Sequence, residues 1–293
     1  MRLLSQLTLF MVLTTFLSAC TPGVQSPEVP KPVVLTLPAD LETIEYPLDA
    51  YRNEAERSGL IEWAWNKAAQ RCLARFGSEV PVGMPQPEAP RSAESRYGMV
   101  NAEKATAHGY TGAPLDRQPP MTLSERIPAQ AVAIFDGTVT GQHNGEPVPQ
   151  GGCRGEAARQ IIPAANPYFV QELEKTAGQR AAKDERLLGY VQKWSECMAL
   201  AGFRYHFPSE PYQAWIGRAQ PGKAPAPEQI TTAIADVKCK VDTDFLRNWI
   251  AIEIAYQHQI IEESSAALAH HVNAMTLAGE RAAAVTAEAN ASG

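Results

Sequence analysis

The sequence predicts a mainly α protein: an irregular helical domain stapled by two disulfides, with room for one small β-hairpin. Three observations carry this. Apolar residues recur at helical spacing through segments 49–75, 184–201 and 227–275. The body holds an even set of cysteines, Cys72, Cys153, Cys197 and Cys239. Between Thr138 and Val148 the chain alternates loosely about Asn144-Gly145, a dipeptide suited to a tight hairpin turn.

In chain order, the first helix is expected from Asp49 to Arg75. Ile61, Ala64, Trp65, Ala68, Cys72 and Phe76 share one face, and Gly77 is its stop. Gly59 is the place for a break, because a glycine inside a helix costs about 1 kcal/mol. Residues 80–128 are rich in proline and glycine. Only Asn101 to His108 has a helical signature there, with Asn101 as cap and Gly109 as stop. Pro128 to Phe135 fits another short helix, and helical patterning resumes at Gly152. Asn166-Pro167, a cap followed by proline at the first helical position, opens a helix to about Thr176. From Asp184 to Ala201 a stripe of Leu187, Leu188, Val191, Trp194 and Met198 ends at Gly202-Phe203. Taken as one helix, the last apolar pattern would run about 50 residues, roughly 70 Å. Asp242-Thr243-Asp244 is therefore the expected break, with Thr243 capping the second half. From Ala278 the alanine-rich end is expected to fray.

The N-terminus has a different character. Met1-Arg2 gives a short positive start, Leu3 to Phe16 is largely apolar, and small residues lead to a cysteine, the pattern of an export signal. The run is short of the ~20 apolar residues that a membrane-spanning helix needs. Leu17-Ser18-Ala19-Cys20 resembles the lipobox of bacterial lipoproteins. That resemblance implies cleavage before Cys20, a diacylglycerol (palmitate-type) lipid on its thiol, and a lipid anchor on the extracytoplasmic face of the cell membrane. The expected organisation is a lipoprotein signal peptide at 1–19 and an anchored Pro-rich tether at 20–47. An extracytoplasmic helical domain at 48–277 and a flexible tail at 278–293 follow. The tether assignment rests on six prolines within 21–47 and little periodic pattern.

From Cys20 onward 274 residues remain, enough for a sizeable core. A net charge of −6 argues against a nucleic-acid partner, which needs a basic face. It also leaves membrane attachment to acyl chains rather than to a general electrostatic grip. With Cys20 assigned to lipid, the other four cysteines suit two disulfides in an oxidising compartment. Three pairings are open to them. Joining neighbours, Cys72 with Cys153 and Cys197 with Cys239, is preferred because each bridge ties adjoining segments. No pair is spaced as Cys-x-x-Cys, which disfavours a metal site.

No catalytic residue, metal ligand or cofactor is assigned. Gln150-Gly151-Gly152-Cys153 resembles the caspase cysteine pattern only superficially, with one residue too many, so a structural disulfide is the better account of Cys153. Ser195 lacks the flanking glycines of a nucleophile elbow and sits mid-helix. Glu253, His258, Glu262, Glu263, His270 and His271 on the last helices read as a solvated face, since the partner motif for a metal pair is missing. The aromatic loop offers the one candidate binding surface: Phe203, Tyr205, His206, Tyr212 and Trp215 could stack on a sugar, peptide or headgroup. The plain alternative is that these rings cover the core.

The body resembles a group of uncharacterised actinobacterial lipoproteins. The residues concerned are Arg96-Tyr97-Gly98, His108-Gly109-Tyr110, Pro149 to Cys153, Lys193 to Met198, Ala235 to Lys240 and Glu253 to Gln257. This resemblance implies a surface-anchored, cysteine-stapled helical domain and supplies no activity. The role expected is a binding or interaction protein at the cell envelope, its partner an envelope protein or a small molecule. A structural envelope component is the second reading, and an enzyme acting on envelope material through an unrecognised site the third.

Overall fold

The structure is a computed structural model describing residues 29–36, 38, 41, 44–87, 93–111, 123–162, 166–216, 218 and 224–291. The expected signal segment and Cys20 lie outside them. Its helices are α1 (Glu54–Arg57), α2 (Leu60–Arg75), α3 (Ala93–Tyr97), α4 (Ala102–His108), α5 (Leu123–Arg126) and α6 (Ala129–Asp136). After the hairpin of β1 (Gln142–His143) and β2 (Glu146–Pro147) come α7 (Gly152–Ile161), α8 (Phe169–Ala182), α9 (Glu185–Leu200) and α10 (Glu210–Ile216). The chain ends with α11 (Pro227–Asp242), α12 (Phe245–Glu263) and α13 (Ser265–Ala291). The fold is mainly α, as the periodicity predicts. The hairpin turns at Asn144-Gly145 with His143 opposite Glu146.

Two larger cores hold the helices, and each contains one disulfide. In the first, the apolar stripe of α2 meets α5, α6, α7 and the far half of α13 around Cys72–Cys153. In the second, α8, α9 and α12 close around Trp194, Met198 and Phe245 beside Cys197–Cys239. The bridges pair neighbouring cysteines across 81 and 42 residues, each limiting the unfolded chain by about 4 kcal/mol on a loop-entropy account. A smaller cluster joins α4 and α10 to α11 through Met99, Tyr110, Trp215 and Val237.

Glycine sets one close approach. Gly137 ends α6 and Gly152 begins α7, both with positive φ. A Cβ on Gly152 would lie 2.3 Å from the Ile134 carbonyl oxygen, so two backbones touch where any side chain would intrude. This packing places Cys153 opposite Cys72.

Helix ends follow local chemistry. Asn101 accepts the Lys104 amide and caps α4 as expected, and Asp184 accepts the Arg186 amide at the start of α9. The Phe203 amide returns to the Met198 carbonyl at 2.9 Å and closes α9. Asp244, at φ +55, breaks the long terminal pattern where its sequence indicates. Thr243 is not the cap of α12, because its hydroxyl donates back to the Cys239 carbonyl. A second break at Ser264, without a proline or glycine to mark it, separates α12 from α13.

Two expectations about the ends need correction. The tail expected to fray from Ala278 stays helical to Ala291, and Ala278, Ala282 and Val285 are buried against α2. Small side chains let α13 lie close to its neighbour, which a count of weak hydrophobes misses. The described part of the Pro-rich tether is also not free: Val33, Leu35, Leu41, Ile44 and Tyr46 pack on Tyr97, Leu246 and Ile250.

Candidate functional site

A cleft of about 650 Å³ opens beside α2. The buried Ile61, Phe135 and Met275 form its floor. The Trp65 indole stands edge-on to Phe135, with ring centroids 6.1 Å apart. Glu62 and Asn66 come from the adjoining helical face, and Gln171 and the largely exposed Tyr168 from the start of α8. Arg154 on α7 completes it: its guanidinium lies 4.9 Å from the Phe135 ring and is fixed by Asp136 at 2.6 Å. The joint at Gly59 admits the chain around Gln86 to the same rim. A Cβ there would come within 1.9 Å of the Gln86 carbonyl oxygen. Aromatic faces, side-chain amides, two carboxylates (Glu56 and Glu62) and two guanidiniums (Arg52 and Arg154) thus border one space. Such a lining suits a polar ligand that has a flat or apolar face.

The strongly perturbed titratable groups lie elsewhere. Between α9 and α11, Asp236 accepts from Trp194 Nε1 at 2.9 Å, Tyr110 OH at 3.2 Å and Lys240 Nζ at 3.1 Å. Lys240 is fully buried and also donates to the Tyr97 and Met99 carbonyls just past α3. Burial pushes the Asp236 carboxyl up and the Lys240 ammonium down, each opposed by its partner's charge. It also raises the Tyr110 phenol, reinforced by Asp236. A second knot ties Arg96 to Glu253 at 2.6 Å, with Tyr97 donating to the same carboxylate at 2.9 Å. Burial raises the neighbouring Tyr46 phenol to about 12. Both knots join helices inside the protein, and neither borders the cleft.

Compared with protein-family profiles, with curated proteins and with solved structures, the chain matches none. Its site must therefore be read from its own geometry.

The aromatic-loop residues divide. Phe203 and Tyr205 pack on the core of α9 and α12, and Trp215 is buried with Met99 and Tyr110 beneath the Arg218 guanidinium. His206 and Tyr212 are exposed. With Phe207 also exposed, the loop thus divides between core cover and three exposed rings. Ser195, read as a surface residue, donates to the Tyr205 carbonyl at 2.6 Å and fastens that loop. On the terminal helices, His258, Glu262, Glu263 and His270 are exposed, as a solvated face requires. Glu253 and His271 correct that reading: both are buried, Glu253 against Arg96 and His271 beside Phe169 and Glu56. Among the described residues no three His, Cys, Asp or Glu side chains gather as a metal site, and no helix is long and apolar enough to cross a membrane.

Sequence reasoning places Trp65 on the apolar stripe of α2 and finds no site there. Arg154, Tyr168 and Gln171 lie about 90 to 105 residues further on. The disulfide-held contact of α2 with α7 brings Arg154 to the cleft, α8, packed on α12, brings Tyr168 and Gln171, and no local pattern announces it.

Proposed function

We propose that the protein is a lipid-anchored, extracytoplasmic binding protein of the cell envelope that holds a polar small molecule or peptide in the cleft beside Trp65. The cleft carries this reading. It combines an apolar floor and the Trp65 and Phe135 rings with convergent amides and charges, the composition of a recognition site. The perturbed acids and bases, which catalysis would want in the cleft, are instead buried knots between helices. The envelope setting draws on the cysteines. Four of the five are joined in two disulfides, the arrangement of an oxidising compartment, and the fifth ends the lipobox-like Leu17-Ser18-Ala19-Cys20.

Native mass spectrometry of the mature chain, purified without reductant, tests the binding. The expected result is added mass from a co-purified ligand, lost or weakened at least about tenfold in Trp65→Ala, as for a central aromatic contact. A bare mass in the wild type, short only by the four hydrogens of two disulfides, together with no Trp65-dependent binding to envelope extract, would count against the cleft.

A further inference from the structure

The N-terminal segment meets the body well before the domain begins. The Pro30 carbonyl accepts a hydrogen bond from Arg186 Nη2 at 2.9 Å. Beyond it Val33, Leu35 and Ile44 pack on α3 and α12. The Tyr46 ring lies over the Arg96 guanidinium at 4.1 Å, and its hydroxyl meets that of Tyr97 at 2.8 Å. Leu48 is buried and donates its amide to the Gln257 side chain. The chain between a lipid on Cys20 and the first of these contacts is therefore short. Ten residues reach at most about 35 Å. A folded body of this length is roughly 45 Å across. A leash shorter than the body it holds limits which side can meet the bilayer.

The surface at the root of that leash has a definite character. Pro32, Arg186, Gly189, Tyr190, Lys193 and Asn248 border a shallow dent of about 310 Å³ between α9 and α12. No carboxylate borders it among the described residues, on a chain of net charge −6. Lys193 stands over the Tyr190 ring at 4.7 Å. Arg186 is forked by the buried Asp184, whose other oxygen contacts include Tyr256, so Lys193 is the cation turned outward. The exposed carboxylate of Glu185 lies nearby on the first turn.

We propose that this dent faces the membrane, with Lys193 meeting the phosphates of anionic lipid headgroups, Tyr190 lying at the interface, and Arg186, held by Asp184 and the Pro30 carbonyl, tying the leash to its edge. The inference rests on the reading of Cys20 as the lipid anchor. Short reach keeps the side opposite the leash root off the bilayer, and the outward Lys193 charge selects the dent, acting at distances below the Debye length of about 10 Å.

The test uses the full lipidated chain in phosphatidylcholine vesicles, with and without phosphatidylglycerol, carrying a headgroup-bound nitroxide quencher. A fluorophore is placed at Gly189→Cys, where an added side chain meets open space, or at Gln142→Cys on the hairpin beside the other core. Quenching several-fold stronger at position 189 than at 142 is expected. The difference should grow with phosphatidylglycerol and shrink in Lys193→Glu or at high salt. Equal quenching at both positions in a chain that floats with the vesicles overturns the orientation and leaves the anchor standing. A wild-type chain that floats no better than Cys20→Ala overturns the anchor, and this face with it.

Discussion

Replacing Lys240 by methionine isolates the buried knot between α9 and α11. Lys240 makes three contacts, to Asp236 at 3.1 Å and to the Tyr97 and Met99 carbonyls at 3.0 and 2.9 Å, with no exposure to water. Methionine fills the same volume and donates to none of them. Two carbonyls lose their donor, and Asp236 keeps Trp194 and Tyr110 but loses its countercharge. Breaking one side of such a pair costs about 3–5 kcal/mol. With a urea slope of about 2–3 kcal/mol/M, the unfolding midpoint falls by roughly 1–2 M, disulfides intact. Asp236→Asn in the same chain removes the stranded charge while keeping an acceptor for Trp194. The double variant should therefore be less damaged than the sum of the singles by more than about 1 kcal/mol. Urea unfolding followed by circular dichroism measures all three chains. A Lys240→Met cost below about 1 kcal/mol, or strict additivity, would refute the reasoning, because both require the pair to be hydrated or uncoupled.

Two further perturbations read other parts of the fold. Hydrogen bonding from Arg186 holds the Asp184 carboxyl below its usual range. Its folded value being lower than its unfolded one, it contributes stability above about pH 4 that is lost as pH falls through the folded value. The melting temperature of Asp184→Asn should accordingly decline less between about pH 5 and pH 2 than that of the wild type; parallel declines would count against the assignment. Gly152→Ala places a methyl 2.3–2.4 Å from the Ile134 and Phe135 carbonyls and the Gly137 amide at positive φ, so it should cost about 3 kcal/mol or more by calorimetry. A change below about 1 kcal/mol would show that α6 and α7 part easily.

Much of the fold is legible because its information is local. The stripe of α9, the Asn101 cap, the Asn144-Gly145 turn and the break at Asp244 each lie within a few residues of the structure they specify. The disulfide pairing is half legible: it is the neighbour pairing, but only packing of α2 on α7 shows that Cys72 can reach Cys153. Misreadings arise where burial is decided at a distance. Glu253 resembles a surface carboxylate until Arg96, 157 residues earlier, neutralises it. The alanines of α13 look like a fraying end until α2 covers them. The cleft is the extreme case, because its lining comes from helices that are far apart in sequence.

The two disulfides close one after the other along the chain, since Cys153 comes before Cys197. The loops neither nest nor interlace. A polypeptide threaded N-terminus first into an oxidising space presents Cys72 and Cys153 as its first two body thiols, then Cys197 and Cys239. An oxidase that joins each new thiol to the unpaired one before it therefore arrives at the native pairing directly. Under the proposed export, the order of emergence alone specifies the cross-links.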